Sequence, residues 1–218
     1  MFMIPIVLSA QVDGRVRHDK RRLVFVIDAL GHAMGGPGAG LVSQLSHAGF
    51  DDTLCVIGCR SSPKRHGATA SGALTARLAV GEKLWIRAGM GWSGLGGADG
   101  YKKPAPGSAG GTFVSSDWTA RMLWIAPLWQ PDPAFYVGAG PASYKLRDLA
   151  THQPTLRRIG MVAETGLEKP AHRRFFLSLA FRAHLIPSAE VKAEGTDPIT
   201  LHPSWTHCAL VAGLGVRF

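Results

Sequence analysis

Residues 205–218 read Trp-Thr-His-Cys-Ala-Leu-Val-Ala-Gly-Leu-Gly-Val-Arg-Phe, and their alternation decides the fold. Successive side chains of an extended chain point to opposite faces. Cys208, Leu210, Ala212, Leu214, Val216 and Phe218 therefore share one face, while His207, Ala209, Val211, Gly213, Gly215 and Arg217 share the other. The first face is wholly apolar; the second is small or polar and ends in an arginine. Residues 175–185 repeat the pattern, with Phe175, Leu177, Leu179, Phe181, Ala183 and Leu185 opposite Phe176, Ser178, Ala180, Arg182 and His184. At about 3.3 Å per residue, such segments are long for globular strands and suit tilted strands that cross a bilayer.

The same period of two recurs along the chain. Alternation predicts strands at 23–29, 70–80, 84–93, 119–128, 135–140 and 158–167 as well, eight in all. Gly81-Glu82-Lys83, Gln130-Pro131-Asp132-Pro133 and Lys169-Pro170 to Arg173 supply tight turns between the second and third, fourth and fifth, and sixth and seventh strands. The other four connections are long. Short turns at one end and long loops at the other describe an up-and-down meander with an even strand number, whose sheet can close on itself. In the first long loop, residues 38–50 read as a helix: Leu41, Val42, Leu45 and Ala48 share a helical face, and Gly49 stands where a C-terminal cap belongs.

Composition narrows the alternatives. The 218 residues include 27 glycines, only 18% charged residues and 46% hydrophobic ones. Charge-driven disorder is excluded, since it needs low hydrophobicity and high charge. A helical bundle is disfavoured, because glycine costs about 1 kcal/mol at each helix-interior site. No apolar run reaches the length of a membrane-spanning helix. Met1 to Ala10 read either as the remnant of a signal peptide or as a buried strand, and 11–21 as an extension before a single domain at 22–218. The formal charge of +9 comes without a groove-entering element or stacking platform, so no nucleic acid is expected.

Membrane-length alternating strands, alternately short and long connections, and a last strand ending in Val216-Arg217-Phe218 resemble the small outer-membrane β-barrels of Gram-negative bacteria. The resemblance spans nearly all of 22–218. It implies a closed eight-stranded antiparallel barrel in the cell outer membrane, with Phe218 as the assembly signal read by the barrel-assembly machinery. It also implies outer-membrane lipid and lipopolysaccharide as surroundings, with Lys64-Arg65-His66 and Lys102-Lys103 in loops that can meet phosphates. A monomer is expected. Apolar faces would meet lipid, and rings of aromatic residues would stand at the interfaces. Trp92, Trp118, Trp129, Phe135, Tyr136, Tyr144 and Trp205 lie near strand ends and are assigned to those rings.

Arg77, Arg87, Arg121, Arg158, Arg182 and Arg217 fall on the expected inner faces, with Asp28 and Glu164 as the available acids. Eight strands leave an interior that side chains can fill, so a lumenal polar network is expected, and an anion-conducting pore is the sharper alternative. Cys55 and Cys59 are a candidate loop disulfide, and Cys208 reads as a small apolar side chain. Neither cofactor nor metal is expected, since no second pair of Cys or His stands at zinc spacing to join Cys55 and Cys59. No catalysis is expected either. The enzymatic alternative is a lipid-modifying acyl hydrolase using His202 and Ser204, which lack an acid downstream to orient the histidine. A soluble lipocalin-like barrel, with apolar faces inward, is the third reading.

Overall fold

The computed structural model describes residues 23–35, 37–52, 69–97, 101–104, 111–114, 116–149, 154–193 and 199–218. The segment 1–22, Cys55, Cys59 and Lys64-Arg65-His66 lie outside them. The strands are β1 (Leu23–Gly35), β2 (Asp51–Asp52), β3 (Thr69–Ala79), β4 (Leu84–Gly96), β5 (Tyr101–Pro104), β6 (Gly111–Val114), β7 (Trp118–Asp132), β8 (Phe135–Asp148), β9 (Leu156–His172), β10 (Phe175–Leu185), β11 (Val191–Ala193), β12 (Ile199–Leu201) and β13 (His207–Arg217). Eight of them close a barrel in the order β1-β13-β10-β9-β8-β7-β4-β3. All neighbours are antiparallel, and the first and last strands zip together from Val24 opposite Arg217 to Gly35 opposite His207. Closure leaves no unpaired sheet edge, the condition for strands to stand in hydrocarbon.

The three tight turns join the expected strands, the first at 80–83 as read and the other two at 133–134 and 173–174, at the far ends of the expected segments. Val80 and Gly81 N–H both donate to the Leu84 carbonyl, and the Asp132 carboxylate accepts from the Ala134 and Phe135 N–H groups. Strands β8 and β9 are longer than alternation predicts, so the loop between them is short. Strand β9 runs through Pro170 to His172, with an irregularity in its pairing with β10 between Phe175 and Phe176. The proline reads as a turn signal in sequence, yet it lies within the strand near the short turn, opposite Phe176 and beside that irregularity, where a missing donor is tolerated.

The outward faces carry Ile27, Leu74, Met90, Leu123, Ile125, Ile159, Leu177 and Leu214, all exposed, while Asp28, Arg77, Arg87, Glu164 and Arg182 are buried inside. This orientation overturns the lipocalin-like alternative. Strand β7 departs from expectation. Its even-numbered residues, Met122, Trp124, Ala126 and Leu128, point inward, and Arg121, Leu123 and Ile125 point outward. Both of its faces are apolar, so alternation alone does not orient it; the ladder with β4, which sets Gly89 against Trp124, does.

Inner-face glycines have a packing cause. Gly89 stands across the ladder from Trp124, Gly166 from Tyr136 and Gly215 from Phe176. A Cβ on any of the three would lie inside the opposing ring. Each glycine is thus the seat of a cross-strand aromatic, which lets three large rings lie flat in a narrow lumen.

Helix α1 (Pro37–His47) forms as the spacing predicts, with Leu41 and Leu45 buried. Its end is a left-handed glycine cap: Gly49 has φ of +80°, the Gly49 N–H donates to Ser46 and the Phe50 N–H to Leu45. Strands β2, β5 and β6 form one small sheet and β11 and β12 another, both in the long connections.

Candidate functional site: the lumen and its cap

Four arginines and three carboxylates from six strands meet inside the barrel. Arg87 Nη1 donates to Glu164 Oε2 at 2.7 Å and to the Tyr136 hydroxyl at 3.2 Å. Arg182 reaches the same Glu164 oxygen through Nε and Nη2, both at 3.3 Å, and Asp28 Oδ2 through Nη2 at 2.9 Å. Nearer the short turns, Glu168 takes Arg77 on one oxygen and Arg217 on the other, at 2.5 and 3.2 Å. Aromatic faces complete the packing. Arg77 and Arg87 lie over the Tyr136 ring, Arg217 over Phe176 and Arg182 over Trp124, with 4.7–5.7 Å from guanidinium carbon to centroid.

The network differs from expectation in three members. Arg121 lies on the outer wall because β7 is turned over, and it faces away from the lumen. Arg158 has inward parity but stands near the long-loop end, half-exposed, where its Nη1 donates to the Arg157 carbonyl; it joins none of the ion pairs. Glu168 is the member that alternation misses. It shares the parity of Glu164, and ending the sixth strand at Leu167 hid it. Asp28, Arg77, Arg87, Glu164, Arg182 and Arg217 all lie on the inner side of the wall. Four guanidiniums against three carboxylates leave one net positive charge, rather than the surplus that six arginines and two acids imply.

Above the network the lumen turns aromatic. The Tyr144 hydroxyl donates to the Met161 carbonyl at 2.9 Å, so His184 Nδ1, 3.1 Å away, is the donor in their bond. The His184 ring stacks on His207 at 4.6 Å between centroids, and His207 Nδ1 reaches the Trp205 carbonyl at 3.2 Å. Trp205 packs edge-on against Trp118 at 4.8 Å. Of the aromatics assigned to interfacial rings, Trp118, Tyr136, Tyr144 and Trp205 are therefore buried interior groups, while Trp92 and Trp129 do face outward. One continuous apolar cluster then joins Trp118 and Trp205 to Leu41, Leu45, Phe50, Leu95, Tyr101, Val191 and Leu201. Helix and small sheets thus form a cap over the mouth.

His202 and Ser204 both lie exposed on the segment leading into β13, with Pro203 buried between them. The backbone of His202 is held by helix α1: its N–H donates to Gln44 Oε1 at 2.7 Å and its carbonyl accepts from Gln44 Nε2 at 3.0 Å. No hydrogen bond joins His202 to Ser204 among the described residues. At the seam, the Phe218 N–H donates to the Leu23 carbonyl at 2.9 Å and its exposed ring meets Phe25 edge-on at 5.9 Å.

No protein-family model and no curated protein matches the chain in sequence. Solved structures do match in shape. Neisserial surface protein A is 15% identical, with 90% of this chain and 97% of that one aligned at a TM-score of 0.52. The outer-membrane protein OprG from Pseudomonas aeruginosa is 11% identical, with 91% and 97% aligned at 0.56. At these identities the likeness is one of fold.

Proposed function

We propose that this chain, which has the fold of the small outer-membrane β-barrels, is a non-conducting outer-membrane protein whose wall and cap serve a structural, barrier or adhesive role. Its surroundings would be outer-membrane lipid and lipopolysaccharide, reached as a monomer through the barrel-assembly machinery with Phe218 as the signal. The exposed apolar belt supports the membrane setting, because soluble monomers rarely leave such continuous apolar area in water. The filled lumen carries the reading of function. A solute entering from the short-turn side meets Glu168 clamped by Arg77 and Arg217, then Glu164 clamped by Arg87 and Arg182. One entering from the other side meets the cap.

Planar-bilayer recording of the refolded protein tests this. The expected result is a seal without steady conductance. Reproducible anion-selective steps would overturn it in favour of the arginine-lined pore.

A further inference from the structure

The outer wall carries a feature that neither the plugged lumen nor the apolar belt accounts for. Arg121 on β7 is directly opposite Lys145 on β8, and Lys145 is directly opposite Arg157 on β9. All three point outward and are exposed. Trp92 on β4 continues the same row, opposite Arg121. Arg147 stands one step nearer the loops on β8, also outward. Among the described residues, neither Arg121, Lys145 nor Arg157 is paired with a carboxylate. Like charges directly opposite on neighbouring strands are destabilising, so two such pairs in succession need an anion to make them favourable.

The row also has a definite height. Immediately below it run Met90, Leu123, Ser143 and Ile159, in register across the same four strands. Lys145 lies ten positions along β8 from Phe135 at the short turn, which at about 3.3 Å per residue and a tilt of about 40° is about 25 Å, the height of a barrel's apolar band. One groove is lined by Arg121, Lys145, Arg157 and Trp92 of this row together with Met90 and Leu74 of the row below. With strands about 4.8 Å apart, the three cations span about 10 Å.

We propose that Arg121, Lys145 and Arg157 form a binding site for the phosphate groups of a phosphorylated lipid in the leaflet on the long-loop side, whose acyl chains lie in the groove below. The inference rests on the membrane reading above. Guanidinium and ammonium donors on adjacent strands bridge phosphate oxygens, relieving the repulsion within the row. The apolar groove distinguishes a lipid from free phosphate.

The test uses the full chain folded in detergent, with diphosphorylated lipid A as probe and the same lipid stripped of phosphate as control. Native mass spectrometry reads the bound lipid. The wild type should retain the phosphorylated lipid about 100-fold better than the stripped one, and the triple variant Arg121→Gln/Lys145→Gln/Arg157→Gln should lose that preference, at about fivefold per charge. Lys83→Gln/Arg174→Gln, which removes charge at the short-turn end, should change nothing. Inorganic phosphate should fail to displace the lipid. Equal retention of both lipids by the wild type overturns the assignment even if the triple variant does not fold, and displacement by inorganic phosphate overturns the lipid as occupant. An unaltered preference in a folded triple variant moves the site elsewhere. Folding is read separately by heat-modifiable migration on gels. A wild type without that folded form sinks the membrane reading and this site with it; a folded wild type without lipid preference sinks this site alone.

Discussion

Arg182 on β10 and Asp28 on β1, 154 positions apart in sequence, meet in the barrel centre at 2.9 Å, and the same guanidinium holds Glu164 on β9. One side chain thus ties the first strand to the two that precede the closing strand. Buried charges are costly when stripped of partners, with about 3–5 kcal/mol lost when one member of a buried pair is removed. Arg182→Ala removes the guanidinium hydrogen-bonded to Asp28 and one of the two on Glu164, so it should destabilise the barrel by about that amount. Adding Asp28→Ala should restore part of the loss, because it removes the orphaned charge. Urea unfolding in lipid vesicles, followed by tryptophan fluorescence, checks both; equal stability of Arg182→Ala and wild type would show the network to be dispensable.

Glycine seats make a second, sterically driven prediction. Gly166 lies across the ladder from Tyr136, whose ring and hydroxyl a Cβ would overlap. Tyr136 cannot swing away freely, because Arg87 donates to its hydroxyl and both Arg77 and Arg87 lie on its faces. Gly166→Val should cost about 1–3 kcal/mol or more, as overpacking of a filled interior does. Tyr136→Ala in the Gly166→Val background should relieve the clash, so the two changes together should be less harmful than their sum. Strict additivity in unfolding free energy would refute the seat.

How far the sequence discloses all this depends on what alternation can see. Strand β13 and strand β10 each have one face of large apolar residues and one that is mainly small or polar, Phe176 on β10 apart, and both orient as read. Strand β7 places Met122 and Trp124 against Leu123 and Ile125, so its faces are equally apolar and its orientation comes from pairing. Arg121 is misplaced for that reason alone. Glu168 is hidden by a different cause: Lys169-Pro170 reads as a turn, although the strand passes through it. Tyr136 and Tyr144 carry a signal that could have placed them, since both share the parity of Gly138 and Gly140, on the inner face. The cap is legible as a helix with a glycine stop. What it covers is not, because the buried cluster that holds both Leu45 and Trp205 joins residues on opposite arms of the chain.

The cap supplies a third prediction. Leu45 is fully buried within the cluster that includes Trp118 and Trp205. Truncation of such a leucine costs about 2–5 kcal/mol, but the barrel wall below does not depend on this contact. Leu45→Ala should therefore release the cap locally while the barrel stays folded. Limited proteolysis should cut faster between α1 and β3 in the variant, with heat-modifiable migration unchanged. Loss of the folded gel form instead would mean that cap and wall fold as one unit.

Phe218 separates stability from assembly. Its N–H bond to the Leu23 carbonyl is a main-chain contact that Phe218→Ala keeps, and only the edge-on contact with Phe25 is lost. An aromatic pair of this kind contributes about 0.5–1.5 kcal/mol beyond its area, and the ring is 56% exposed, so unfolding in vesicles should shift by about 1 kcal/mol. If Phe218 is the signal read by the assembly machinery, the folded yield in cells should fall far more steeply than that shift implies. Parallel measurement of refolded stability and of the heat-modifiable fraction in isolated outer membranes decides the matter. Proportionate small losses in both would leave the residue a seam contact and nothing more.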